Sequence, residues 1–125
     1  MAMKILYLNP DVCFKDGHIG EELELLAMIK NQTGACFAFL HHSPYEEILG
    51  GEASRLVEVL PDGREKTIRE SIKRMGLTMF GVLDDGEERF EDEEMRFRRT
   101  VIKKEGEGLT FASAYACIGK LNSIY

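Results

Sequence analysis

The chain has 125 residues, of which 44% are hydrophobic and 30% charged, and its formal net charge is −6. That length suits a single domain, 1–125, with a core that needs no metal or disulfide staple, and three widely spaced cysteines point to a reducing, cytoplasmic setting. No apolar run is long enough for a signal peptide or a membrane span, and the acidic balance speaks against counterion-driven binding of nucleic acid.

The elements follow from apolar runs and their stops. Residues 5–8 (ILYL) form a short apolar run halted by Asn9, Pro10 and Asp11, which predicts a buried strand. Residues 9–20 are rich in turn formers and read as a loop. Residues 21–31 predict a helix: acids open it, Lys30 closes it, and Gly34 follows as a stop. Its apolar residues cover most of the circumference, so burial on more than one side is expected.

Residues 35–40 predict a second strand, which ends at His41, His42, Ser43 and Pro44. A helical turn is expected at 45–49, a strand at 55–60, and a turn at Pro61, Asp62 and Gly63. Thr67 and Glu70 have the spacing of a capping box, which predicts a helix from 68 to 75 that stops at Gly76. Residues 77–83 predict another strand, turned by Asp84, Asp85 and Gly86. Residues 95–104 alternate, with Met95, Phe97 and Val101 on one parity, and predict a half-exposed strand. A turn is expected at 105–108. Residues 109–121 fit either helix or strand, with the small residues Ala112, Ala116 and Gly119 favouring a helix.

The order β-α-β-β-α-β matches a ferredoxin-like α+β fold, with an added strand and a C-terminal element. A three-layer α/β fold is the alternative. In either, residues 5–8 and 35–40 form a βαβ unit. Parallel pairing of those strands would set Asn9, Asp11 and Cys13 beside His41, His42 and Ser43.

That cluster is the candidate site, because α/β sheets bind ligands outside the carboxyl ends of their strands. The preferred reading is a small ligand-binding or regulatory domain whose pocket uses Asn9, Asp11, His18 and Ser43. A hydrolase or transferase reading makes Cys13 the nucleophile, His41 or His42 the base and Asp11 its orienter. Neighbouring strand residues point to opposite faces, so His41 and His42 would not both serve. Cys13, His18 and a strand-end histidine could also ligate zinc, but their spacing matches no zinc motif, and neither metal nor cofactor is expected.

The third reading concerns charge. Residues 84–94 hold eight acids and one base, which leaves 14 acids and 15 bases for the rest of the chain. Arg96, Arg98, Arg99, Lys103 and Lys104 follow without an intervening acid. The plain expectation is a solvated hairpin of opposite charges. The functional one is an acidic surface for a protein partner, or a contact in a homo-oligomer.

Overall fold

The structure, a computed structural model, describes residues 3–14, 19–40, 54–56, 63–77, 79–103 and 108–124. Five strands are found among them: β1 (Lys4–Leu8), β2 (Cys36–Phe39), β3 (Ser54–Leu56), β4 (Met79–Asp84) and β5 (Arg99–Val101). The helices are α1 (Pro10–Cys13), α2 (Ile19–Thr33), α3 (Arg64–Met75), α4 (Glu93–Phe97) and α5 (Phe111–Leu121). The sheet has the order β3-β2-β1-β4-β5, and each neighbouring pair is parallel.

Mixed helix and strand, expected from the sequence, is what the chain forms. The ferredoxin-like arrangement is not, because it needs antiparallel neighbours and every pairing here is parallel. Helices cover both faces, which is the three-layer α/β alternative. Element order could not separate the two, because it does not fix strand direction.

Alternation along the strands builds two cores. Leu6, Leu8, Phe37, Phe39 and Leu83 pack with Leu26 and Ile29 of α2 and with Ala114, Cys117, Ile118 and Leu121 of α5. Ile5, Tyr7, Ala38, Phe80 and Val82 pack on the other face with Ile68 of α3 and with Phe90 and Met95. Tyr7 brings a hydroxyl into the second core and shares a 2.7 Å hydrogen bond with Ser71 of α3. Covered on both faces, β1 and β4 read as continuous apolar runs.

Gly34 and Gly76 end α2 and α3 as expected, each with positive φ (73° and 65°). The favoured helix at the C-terminus is α5, opened by a reciprocal cap in which Thr110 Oγ1 accepts from Ser113 N and Ser113 Oγ accepts from Thr110 N.

Four local expectations are corrected. The 9–20 loop contains α1, started by Asn9 Oδ1 accepting from Asp11 N and by Pro10 in the first turn. Helix α3 starts at Arg64, and its expected capping box does not form: Thr67 Oγ1 donates instead to Gly63 O. Its first amides, Arg64 N and Glu65 N, donate to the Glu88 carboxylate, both at 2.7 Å. The strand expected over 95–104 is divided between α4 and the three-residue β5. Because β5 runs parallel to β4, pairing Val82 with Arg99, the acidic and basic segments form no hairpin. The turns expected at 45–49, 61–62 and 105–107 and the 57–60 part of the third strand lie outside the described residues.

At Gly81 the sheet lies close against Leu121 of α5. A Cβ there would lie 3.2 Å from Leu6 Cδ1 and 3.3 Å from Leu121 Cδ2. Gly81→Val is therefore expected to destabilise the fold by about 1–3 kcal/mol through overpacking. Urea denaturation measures this, and an unchanged midpoint would show that α5 packs less closely than described.

Candidate functional site

In open α/β sheets the ligand crevice lies where strand order reverses. Here the chain runs outward from β1 to β2 and β3, then returns to place β4 on the other side of β1. The reversal sets the carboxyl ends of β1 and β4 side by side, with Asn9 after one and Asp84 closing the other. Asn9 N donates to Leu83 O at 2.9 Å, which ties the two ends together.

Asp84 is fully buried, and its carboxylate is saturated. Oδ1 accepts from Arg99 Nε at 2.7 Å and from Gly86 N at 3.2 Å. Oδ2 accepts from Arg99 Nη2 at 2.8 Å and from Arg64 Nη1 at 2.9 Å. Arg64 Nη1 also reaches Asp85 Oδ1 at 3.1 Å. Although burial opposes it, hydrogen bonding to Asp84 and Asp85 raises the Arg64 guanidinium above its ordinary range. Arg99 lies over the Phe90 ring, 3.7 Å from its centroid. Every lone pair of Asp84 that faces the described residues is occupied by its own chain, so this is a structural lock.

The sequence-predicted residues fare differently from one another. The parallel pairing of β1 and β2 is present, with Leu8 opposite Phe39. Asn9 is buried and Asp11 exposed, and both serve the cap of α1. Cys13 is a fully buried thiol in the α2 and α5 core. Burial, and then electrostatic interaction with Cys117, Glu22 and Asp84, push its pKa well above the ordinary thiol value. A nucleophilic thiolate needs the opposite surroundings. His18, His41, His42 and Ser43 lie outside the described residues. Among the described residues, no group of three or more His, Cys, Asp or Glu is placed to hold a metal ion.

The acidic run is largely spent inside the protein. Asp84 and Asp85 hold Arg64, Glu88 caps α3, Asp92 Oδ1 caps α4 by accepting from Met95 N, and Glu94 accepts from Arg98 Nε at 2.9 Å. Arg98 is itself 1% exposed. Its Nη1 donates to Phe80 O and Lys120 O and its Nη2 to Ser123 O, which pins the end of α5 to the sheet.

A cleft opens on the α2 and α5 face. Its volume is about 690 Å³, and Glu21, Glu24, Leu25 and Met28 of α2 line it together with Leu109, Thr110 and Phe111. It lies at the carboxyl edge: α2 begins there after β1, α5 begins there after β5, and Leu109 N donates to Cys13 O just beyond β1. At the other edge the helices are joined, with Asn122 Nδ2 donating to Gln32 O. Phe111 is 63% exposed and stacks with Tyr115 at 6.1 Å between centroids. The sequence carried a signal for this cleft in the surplus of apolar residues on α2. Only Leu26 and Ile29 of those are fully buried, and Leu25 and Met28 are left half-exposed.

No family model, curated protein or solved structure matches this chain.

Two outcomes are expected from these contacts. Asp84→Asn removes the charge that two guanidiniums share and should cost about 3–5 kcal/mol, as when one partner of a buried ion pair is lost. A loss under 1 kcal/mol in chemical denaturation would show that the arginines find other partners. The buried thiols set a pH dependence. Burial pushes Cys117 up to about 11, partly offset by Thr100 and Lys120. Below the unfolded thiol pKa of ~8.5, both states keep the proton; above it only the folded state does, so stability falls by about 1.4 kcal/mol per pH unit per thiol. Cys117→Ala should shrink the decline measured between pH 8 and 10 under reducing conditions. An equal decline in the variant would contradict the assignment.

Proposed function

We propose that this domain binds a small ligand in the cleft between α2 and α5 and serves as a ligand-binding or regulatory module. The observation behind this reading is the cleft itself. Its volume of about 690 Å³ falls within the usual range for small-molecule sites. Its lining combines the apolar Leu25, Met28, Leu109 and Phe111 with the polar Glu21, Glu24 and Thr110, a mixture of the kind such sites favour. Its position at the carboxyl edge of a parallel sheet agrees with where α/β folds carry ligands.

The proposal keeps the ligand-binding reading of the sequence but draws its pocket from helix residues, with Asn9 and Asp11 in the adjoining turn. The enzymatic reading needs an exposed thiolate, whereas Cys13 is buried. The acidic-partner reading needs free carboxylates, whereas at least five of the eight in 84–94 hold groups of the same chain.

A screen of small aromatic and aliphatic compounds by thermal unfolding tests the proposal. A ligand at a hundred times its Kd should add about 2.7 kcal/mol of stability. Met28→Trp, placing a bulky indole in the cleft, should fold and lose that response. The proposal fails if no compound stabilises the native chain, or if stabilisation is undiminished in Met28→Trp.

A further inference from the structure

The charges around the cleft restrict what can enter it. Glu21 and Glu24 stand on its α2 wall one helical turn apart, both exposed. Among the described residues neither side chain has an ion-pair or hydrogen-bond partner, unlike Asp84, Asp85, Glu88, Asp92 and Glu94, which hold guanidiniums or cap helices. No lysine or arginine is found among the described lining residues. The positive end of α5 also faces this region, and an anion could be drawn to such a helix start. Its first turn is already closed by the reciprocal cap of Thr110 and Ser113, and Glu21 and Glu24 are the charged groups among the described lining residues.

The apolar wall adds to the same preference. The Phe111 ring lines the cleft beside Leu25 and Met28, and the face of an aromatic ring attracts cations. The net charge of −6 makes the approach of a cation favourable at longer range. Two other cavities lined by described residues lack this character. One of about 510 Å³ on the outer face of α3 mixes Glu65 and Glu70 with Lys66, Arg69 and Lys73. One of about 170 Å³ between α3 and α4 sets Arg69 and Lys73 against Asp92 and Glu94.

We infer that the ligand of the α2 and α5 cleft is a small organic cation, with an ammonium group held by Glu21 and Glu24 and an apolar body laid against Leu25, Met28 and Phe111. The inference rests on the ligand-binding reading above and specifies the class of ligand. The ammonium stays at the wet rim, where its hydration is only partly lost, and the apolar body supplies burial. Exposed ion pairs and a ring contact together provide discrimination on the order of ten-fold over a neutral isostere.

Three probes of one shape separate the possibilities: 2-phenylethylammonium, 2-phenylethanol and 3-phenylpropanoate. Binding is read in the full chain from NMR shifts of Leu25, Met28 and Phe111. The ammonium should bind about ten-fold more tightly than the alcohol, and the carboxylate more weakly than either. In the double variant Glu21→Gln, Glu24→Gln, affinity for the ammonium should fall to that for the alcohol, whose own binding stays unchanged. Equal binding of alcohol and ammonium to the native chain, or a cation preference that survives in the variant, would overturn the inference and leave the cleft reading standing. If none of the three moves those residues at millimolar concentration, the inference is overturned, and the thermal-unfolding screen alone decides the cleft reading.

Discussion

The carboxylate of Asp84 joins three parts of the chain that are far apart in sequence. It closes β4, beside the central strand β1, and grips Arg99 of β5 through two nitrogens and Arg64 of α3 through one. An edge strand of three residues and the first turn of a helix are thereby fixed to the middle of the sheet. Burying charge is expensive, and a buried ion pair adds little net stability against an apolar substitute. Its value is in geometry: a bidentate guanidinium admits few alternative positions. Neighbouring acids extend the same arrangement. Asp85 shares Arg64, Glu88 caps α3, and Phe90 lies beneath Arg99.

Once that edge is locked, the two faces of the sheet differ in how they are closed. On the α3 face the acidic run crosses over and seals the surface with caps and ion pairs. On the α2 and α5 face, closure rests on apolar packing, anchored near the helix ends where Arg98 binds the carbonyls of Lys120 and Ser123. Toward their starts the helices leave Leu25, Met28 and Phe111 incompletely covered. Apolar surface incompletely covered at the carboxyl edge, beside Glu21 and Glu24, is the feature on which the proposed binding role rests.

Much of the fold was legible in the sequence because local chemistry decides it. The runs at 5–8 and 35–40 are strands, the helix between them stops at Gly34, and Gly76 ends α3, since glycine alone adopts positive φ without strain. The second half of the chain was less legible because its contacts are distant. Arg98 falls on the polar parity of an alternating segment, yet it is buried, because carbonyls from β4 and from the end of α5 converge on it. Glu88 caps a helix that begins 24 residues earlier, a partnership that no spacing rule encodes. Asn9 was visible as a polar stop, but as a candidate ligand group it proves to be the cap of α1. The cleft was half visible, as a surplus of apolar residues on one helix whose open side only the packing of α5 defines.

The most direct measurement is a crystal structure of the full chain grown with 2-phenylethylammonium. Binding at the carboxyl edge predicts the ring between Leu25, Met28 and Phe111, with the nitrogen within ion-pair distance of Glu21 or Glu24. A ligand bound elsewhere, or a cleft closed by its own side chains with no ligand in it, would contradict it.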